Sequence, residues 1–368
     1  MSGRRVVVTG MGLLSGAGAG EGVFREALAA RVPLGGERRV AGRRGEATIR
    51  HAALGEWDPG ELLAPRARRK MVGESQAVSA AFLMACADAR TVDRPVRPER
   101  TGTYLGSGFG CMQTTEKYLR DLFTEGMATA SPFLFAESLA NSPLGHAAIL
   151  LDARGPSVGF ACGDASAVAA FAQAFRDVRA GRIDRAVCGG YELASPAMLE
   201  VLTRLAARAP GPTFMGDGVA AFVIEDEETA LRSGASPVAR IEGVGEAGDP
   251  AARPTGWSHD PEAWSAAHDG ALAAWADGGA PVTAIFLHDP PTPEGARAER
   301  AASEWLARER GPAELRGVHA VFGCHAAAGG FSLAAAVLAA SGGDDRLLVS
   351  SGSWGGATFA IALGSPAA

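Results

Sequence analysis

The sequence predicts an α/β fold made of two similar halves. Short segments rich in Val, Ile and Phe alternate with Ala-rich stretches at helical spacing, which is typical of sheets covered by helices. This pattern starts again after about residue 235. The last segments of the two sets, MGDGVAAFVIED (215–226) and SWGGATFAIALG (353–364), both run from two glycines into an apolar strand, which indicates an internal duplication.

Each half is predicted to contain a five-stranded sheet. In the first half the strand segments are VVVTG (6–10), TYLGSG (103–108), VGFACG (158–163), AVCGG (186–190) and AAFVIED (220–226), with long helices over 75–90 and 165–180. In the second half they are PVARIEGVG (237–245), TAIFLH (283–288), HAVFG (319–323), LLVSSG (347–352) and ATFAIALG (357–364). The linker RSGASP (232–237) divides the chain into residues 1–234 and 235–368, and the two halves are expected to pack face to face.

The composition indicates a globular protein that relies on neither metal nor disulfide. The chain has 368 residues, of which 47% are hydrophobic, so it can bury a large core. Its five cysteines are widely spread and form no CxxC pair, which predicts reduced thiols. A net charge of −6 gives no reason to expect nucleic acid, and no glycine cluster fits a nucleotide-binding motif. We therefore expect no metal and no cofactor.

The apolar stretches are too short to cross a bilayer, and the Met1 end lacks the apolar segment of an export signal. These features predict a cytoplasmic protein that does not associate with membranes. Basic residues are nevertheless concentrated in the first quarter of the chain. They are Arg38, Arg39, Arg43, Arg44, Arg66, Arg68, Arg69 and Lys70. Such a run is either a solvated surface or a docking site for an acidic partner.

The segment GPSVGFACGDASAVAAFAQAF (155–175) runs from an apolar strand into a long helix. Cys162 and Asp164 both lie near the junction. The start of a buried helix favours an anion, because its N–H groups and its dipole stabilise negative charge. This position therefore suits either a reactive thiolate or a carboxylate. Asp164 also fits an ordinary helix N-cap, which stabilises a helix by about 1 kcal/mol.

Seven motifs, in order along nearly the whole chain, resemble the beta-ketoacyl synthase family of the thiolase-like fold. They are RRVVVTGMGLLSG, RARRKMVGESQAVSAAFLMACADA, ANSPLGHAAILLDARGPS, FMGDGVAAFVIED, LHDPPTPEGARAE, GCHAAAGG and SWGGATFAIAL. The resemblance implies two duplicated five-stranded halves in a layered αβαβα arrangement. It also implies a dimer, with the strand before the nucleophile, here SVGFAC, pairing across the two-fold axis.

The family's nucleophilic Cys falls on Asp164 in this chain. Counting forward from Gly155, or backward from AGRIDRAVCGG, reaches Asp164 without a gap, and Cys162 takes the place of a small residue. A carboxylate attacking a thioester would form a fragile mixed anhydride. If ionised, Asp164 would also place a negative charge beside the carbanion formed in decarboxylative condensation and so disfavour it. Normal ketosynthase activity is therefore expected to be absent.

The other catalytic positions of the family are partly kept. His288 and His325 fall at its two histidines, whereas the Lys five residues before the second His is Ala320. The Phe of the Gly-Phe-Gly-Gly loop, which gates the acyl pocket, aligns with Trp354, whose larger indole is expected to close the channel. After His288, Asp289 and two prolines replace a Gly-Thr loop and predict a stiffer turn.

The resemblance is strongest to a chain length factor, the ketosynthase homologue without the active-site Cys in type II polyketide systems. On this hypothesis the chain pairs with an intact ketosynthase, receives an acyl carrier protein at the patch of Arg66, Arg68, Arg69 and Lys70, and shapes a tunnel. The predicted tunnel and gate residues are Met112, Thr115, Leu119, Phe133, Phe135 and Trp354. Ordinary core or interface packing is the alternative role for each of them. Within this class a polyene-type or aryl-polyene-type system is suggested.

Two enzymatic alternatives stay open. His288 and His325 would allow the chain to decarboxylate malonyl-acyl-carrier protein without transferring an acyl group, as relatives with a replaced nucleophile do. Alternatively, Cys162 would serve as the nucleophile of an acyltransferase or hydrolase. The protonation state of Asp164 bears on both alternatives, because burial raises a carboxyl pKa and helix N–H groups lower it.

Overall fold

The computed structural model describes residues 3–42, 45–206, 214–254, 256–275, 281–324 and 327–366. These residues form a mixed α/β fold around one large sheet, as the sequence predicts. The strands are β1 Val6–Ser15, β2 Gly18–Ala19, β3 Gly36–Gly42, β4 Gly45–Ala52, β5 Thr101–Gly106, β6 Ser157–Phe160, β7 Arg185–Glu192, β8 Phe214–Gly216, β9 Gly218–Asp226, β10 Ala239–Gly248, β11 Ala284–Leu287, β12 Glu314–Gly317, β13 Leu347–Gly352 and β14 Ala357–Gly364.

Helices precede, separate and follow these strands. They are α1 Glu21–Ala30, α2 Pro59–Leu62, α3 Pro65–Arg68, α4 Gly73–Asp88, α5 Met112–Glu125, α6 Pro132–Glu137, α7 Ser142–Leu150, α8 Ser166–Arg179, α9 Pro196–Ala206, α10 Glu227–Arg232, α11 Pro261–Leu272, α12 Pro293–Arg310, α13 His319–Phe322 and α14 Ala328–Ser341. None of the helices in the described ranges is both long and apolar enough to cross a membrane.

The large sheet repeats one strand order in its two halves. The first half runs β6-β5-β7-β9-β1 and the second runs β12-β11-β13-β14-β10. When the five strands of each half are numbered along the chain, both halves have the same spatial order: third, second, fourth, fifth, first. The halves join where β1 pairs antiparallel with β10, with Val6 opposite Ile241. The predicted division after residue 234 falls between α10 and β10, and as a domain boundary it stays a prediction.

Two helices lie between the two halves of the sheet, as in the layered αβαβα arrangement that the resemblance implies. Helix α8 packs on β5 and β7, and α14 packs on β13 and on α8, while α4 and α11 cover the outer faces. Both central helices are rich in Ala, which lets the layers approach closely. A Cβ on Gly190 of β7 would lie 2.5 Å from the Cβ of Ala167 in α8, so this contact requires glycine.

One predicted strand is wrong. Residues 319–322 form the short helix α13, and the strand at that edge of the sheet is β12, Glu314–Gly317. Gly323, with φ of 84°, ends the helix. His319, Val321 and Phe322 are all buried, and a short apolar run cannot distinguish a buried helical turn from a buried strand.

Candidate functional site

Asp164 lies in a tight turn between β6 and α8. Gly163 has φ of 56°, and residues Gly163–Ala165 form a single 3-10 turn before α8 begins at Ser166. The Ser166 hydroxyl accepts a hydrogen bond from the Cys162 N–H at 2.9 Å and donates one to the Gly163 carbonyl at 2.6 Å. The residue that precedes α8 is Ala165, which makes no side-chain capping bond. The expected capping role of Asp164 is therefore wrong, because Ser166 orders the turn.

Burial controls the protonation of Asp164. Its side chain is 11% exposed, and burial raises its pKa from 3.8 to about 7, while the Trp257 indole lowers it by less. A carboxyl group loses its hydration on burial, which disfavours the charged form. A substantial fraction of Asp164 is therefore neutral near pH 7. The negative charge of Asp164 in this pocket therefore depends on pH and is only partly present at pH 7.

His288 follows β11 and faces Asp164. Its Nε2 atom lies 3.9 Å from Oδ2 of Asp164, and its ring is buried. Glu299 of α12 holds the segment, because its carboxyl accepts the backbone N–H groups of His288 at 2.8 Å and Asp289 at 2.9 Å. Burial raises the pKa of Glu299 to about 7. The structure thus brings together two predicted site residues from different halves of the chain.

A second histidine, which sequence reasoning missed, completes this cluster. His319 of α13 packs its ring 5.1 Å from the His288 ring, and its Nδ1 lies 3.3 Å from the Asp289 carbonyl. The Cys324 sulfur is 3.6 Å from the same nitrogen. The sequence predicts a strand at residues 319–323, whereas the structure has the helix α13 there. This helix turns His319 inward, where it is buried. The predicted catalytic residue His325 lies outside the described residues.

The thiols near Asp164 are not activated. Burial raises the pKa of Cys324 to about 12, and the carboxyls of Asp164 and Asp289 contribute in the same direction. Burial and the charge of Glu246 raise the pKa of Cys162, which is half-buried. A reactive cysteine needs surroundings that lower its pKa. This argues against Cys162 as a nucleophile.

Aromatic rings cover the turn that carries Asp164. A Cβ on Gly163 would lie 2.7 Å from Nε1 of Trp354, so the indole packs directly on the backbone beside Asp164. Phe109 and Trp257 both meet Trp354 edge-on, with ring centroids 5.2 Å and 5.9 Å away. Trp354 therefore lies where a gate is predicted. Phe109 was missed, since nothing in GSGFG indicates that it meets a residue 245 positions later.

The predicted tunnel residues lie on α5 and α6. Met112 and Thr115 are half-buried, and the Thr115 hydroxyl donates to the Cys111 carbonyl at 2.8 Å. Leu119, Phe133 and Phe135 are 40 to 56% exposed in this chain. Other exposed apolar residues lie on α5, on the loops that follow α5 and α6, and on α7. We call the whole set the apolar face, and it consists of Leu119, Phe123, Met127, Phe133, Phe135, Leu139 and Ile149.

The strand β6 forms one end of the large sheet, next to α7 of the apolar face. It pairs with β5, and its residues are alternately exposed and half-buried. The predicted carrier-protein patch lies at α3 and the turn before α4. There Arg66, Arg69 and Lys70 are exposed, whereas Arg68 is half-buried with its guanidinium 3.8 Å from Asp58.

Solved structures share this architecture over almost all of the chain. "The ishigamide ketosynthase/chain length factor" superposes with a TM-score of 0.83 at 21% identity, covering 99% of this chain and 100% of that one. A type II PKS acyl-carrier protein in complex with its ketosynthase bound to the hexaketide gives 0.80 at 18%, covering 99% and 100%. A beta-ketoacyl synthase from Burkholderia phymatum gives 0.81 at 19%, with the same coverage. The class defined by the fold is therefore thiolase-like.

Sequence comparison narrows this class to a family. Residues 3–230 match the family described as beta-ketoacyl synthase, N-terminal domain. The 3-oxoacyl-(acyl-carrier-protein) synthase 2 of Vibrio cholerae is 27% identical over 327 residues, 81% of this chain and 76% of that protein. The enzyme of the same name from Staphylococcus aureus is 28% identical over 265 residues, 67% of this chain and 63% of that protein. The chain belongs to the beta-ketoacyl synthase family.

Proposed function

We propose that this chain is a chain length factor, which pairs with an intact ketosynthase and shapes the acyl tunnel without carrying the growing chain. The observation that carries the proposal is the buried carboxyl of Asp164 at the mouth of α8, where the family resemblance expects a nucleophilic thiol. The protein is then the non-condensing subunit of a polyketide synthase heterodimer. A polyene-type or aryl-polyene-type product stays a prediction.

The chemistry of the site supports a subunit that cannot load an acyl chain. A carboxylate that attacked a thioester would expel a thiolate and leave a mixed anhydride, which water hydrolyses. Cys162 and Cys324 offer no replacement, since the raised pKa of each thiol keeps it protonated near neutral pH. Trp354, packed on Gly163, further narrows the approach to Asp164.

The surface of the chain supports a protein partner. The apolar face spans α5, α6 and α7, of which α6 packs on both α5 and α7, and α7 also packs on β6. Several exposed apolar residues on neighbouring helices beside an edge strand are typical of an interface. A homologous ketosynthase is the partner that we infer. This pairing would bury Leu119, Phe133 and Phe135 and would place them beside the tunnel of the partner.

Co-expression with an intact ketosynthase from the same organism tests the proposal. We expect a stable one-to-one complex in which elongation requires both chains and no acyl group appears on this chain by mass spectrometry. Phe135→Asp should abolish the complex, because it would bury an unpaired charge at the interface. Val92→Asp is the matched control, since Val92 is 89% exposed on a different surface element.

The length of the product provides the second readout. Phe133→Ala removes a bulky ring from the predicted tunnel and should lengthen the product without disrupting the complex. The proposal fails if the chain is a homodimer that ignores each ketosynthase tested and leaves product length unchanged in Phe133→Ala. An acyl adduct on this chain during turnover would also refute it.

The basic patch provides the contact that we infer for the acyl carrier protein. Arg66, Arg69 and Lys70 project into solvent, where they are available to an acidic partner. Attraction between exposed charges is screened by salt over about 10 Å at moderate ionic strength. Binding of the carrier protein should therefore weaken as salt increases.

Decarboxylation of malonyl-acyl-carrier protein is the second candidate function, and the proximity of His288 to Asp164 favours it. His288 Nε2 lies 3.9 Å from the carboxyl, and the raised pKa of Asp164 keeps part of it neutral at pH 7. A neutral side chain does not oppose the carbanion that forms when carbon dioxide leaves. The activity should therefore fall as the pH rises above 7.

A carbon dioxide release assay on the isolated chain decides between the two functions. Release that disappears in His288→Ala, and that persists in Cys162→Ala, would identify a decarboxylase. Release at the background rate from both the parent chain and His288→Ala would leave the chain length factor as the function of the site.

A further inference from the structure

Glu192, at the end of β7, is a buried carboxyl group that the proposed chemistry does not use. It is fully buried, and its Oε2 atom accepts the backbone N–H groups of Gly108 at 2.8 Å and of Phe109 at 3.2 Å. Its other oxygen, Oε1, makes no hydrogen bond to the residues that the structure describes. Burying a carboxyl group costs free energy unless the group is hydrogen-bonded. Moving the loop away would break the two N–H contacts and leave the carboxyl without them, so these contacts constrain the loop strongly.

The loop that Glu192 holds joins two parts of the site. It spans residues 107–110, between the end of β5 and the start of α5. The Ser107 N–H donates to the Phe160 carbonyl at 3.0 Å, and the Ser107 hydroxyl accepts the Gly110 N–H at 2.8 Å. The loop therefore links the edge strand β6, the helix α5 with its predicted tunnel residues, and the ring of Phe109.

Phe109 transmits this constraint to the turn at Asp164. Its ring packs edge-on against Trp354 at 5.2 Å, and the Trp354 indole lies on Gly163. Phe109 is 38% exposed, so it is the outer of the two rings, packed edge to face, that cover the Asp164 turn. Burial, together with a smaller contribution from the Asp164 carboxyl, raises the pKa of Glu192 to about 8.

We infer that Glu192 is a positioning residue that keeps Phe109, and through it Trp354, closed over the Asp164 site. The Phe109 and Trp354 rings then form a lid, which opens only when the 107–110 loop leaves Glu192. This inference deepens the proposed function, because the lid determines what reaches Asp164.

The test measures access to the Asp164 site with a thiol reporter. Asp164→Cys, in a chain that also carries Cys162→Ala, places one new thiol under the lid. Its rate of alkylation by iodoacetamide is followed by peptide mass spectrometry on the isolated chain. Trp354→Ala sets the rate for an open site. No ketosynthase is present, so the outcome is independent of whether the chain is a chain length factor.

Glu192→Met removes the acceptor of the hydrogen bonds from the Gly108 and Phe109 N–H groups and from the Ser107 hydroxyl, and it keeps the side-chain volume. It should raise the alkylation rate about tenfold or more, as expected for the loss of hydrogen bonds to a buried group. Glu192→Gln retains an acceptor oxygen and should stay within about twofold of the parent. Glu74→Ala is the matched control. Glu74 is also buried and accepts two bonds from Thr114 of α5, but it does not touch the loop.

Phe109→Ala should reproduce the effect of Glu192→Met, and the double variant should add less than about twofold, because both changes act on one lid. Three results would overturn the inference: a folded Glu192→Met with the parent rate, an equal rise in Glu74→Ala, or additive effects in the double variant. If Glu192→Met does not fold, Phe109→Ala decides. A rise then supports the lid, and an unchanged rate overturns it.

Discussion

Replacing Asp164 by Asn should stabilise the protein at neutral and alkaline pH. In the unfolded chain Asp164 ionises with a pKa near 3.8, whereas in the fold its pKa is about 7. Between these values the unfolded state loses a proton that the folded state keeps, so stability falls as the pH rises. The stabilising contribution of the neutral carboxyl is fully present below the lower pKa and is lost by the upper one. Asn has no proton to lose.

The two pKa values determine the size of this effect. Since one pKa unit corresponds to about 1.4 kcal/mol, the difference in unfolding free energy between Asp164→Asn and the parent should change by about 2.5 kcal/mol from pH 5 to pH 8, in favour of Asn. Glu192 adds to the effect in the same direction, because the Asp164 charge raises the pKa of Glu192.

Urea unfolding of the parent and of Asp164→Asn at several pH values between 5 and 8 provides the measurement. Asp93→Asn, at an exposed position, is the control for the loss of one carboxyl group outside the site. A constant difference between Asp164→Asn and the parent over the whole range would refute the reasoning. It would mean that Asp164 titrates at the same pH in the folded and unfolded states, and therefore that it is not desolvated.

Three further predictions concern the turn, the thiols and the basic patch. Gly163→Ala should cost about 1 to 3 kcal/mol in urea unfolding, because Gly163 has positive φ and a Cβ would meet Trp354, whereas Gly73→Ala, with open space around it, should cost little. Iodoacetamide should alkylate Cys162 no faster than an ordinary exposed thiol, and a much faster reaction would revive the acyltransferase alternative. Arg69→Glu with Lys70→Glu should weaken acyl-carrier-protein binding and flatten its salt dependence; unchanged binding in surface plasmon resonance would remove the docking assignment.

Local patterns along the chain predict much of the fold. Alternation of apolar strands with Ala-rich helices indicates the two halves, and α4 and α8 lie close to the predicted 75–90 and 165–180. The error at residues 319–323 arises because four apolar or aromatic residues in a row satisfy both a buried strand and a buried helical turn. Only packing against the neighbouring elements distinguishes the two, and the sequence does not contain that information in a local form.

By itself, the sequence determined the α/β class, the repeated pattern of strands and the presence of a carboxyl group at the start of α8, because these follow from residue order and short-range periodicity. Only the tertiary structure decided which side chains surround that carboxyl. His288 lies beside Asp164, His319 packs on His288, and Trp354 packs on Gly163. All three come from distant parts of the second half and are brought to this turn by the packing of the layers. The tertiary structure also decided the protonation of Asp164, since the pKa of a buried carboxyl depends on how much water the surrounding atoms remove.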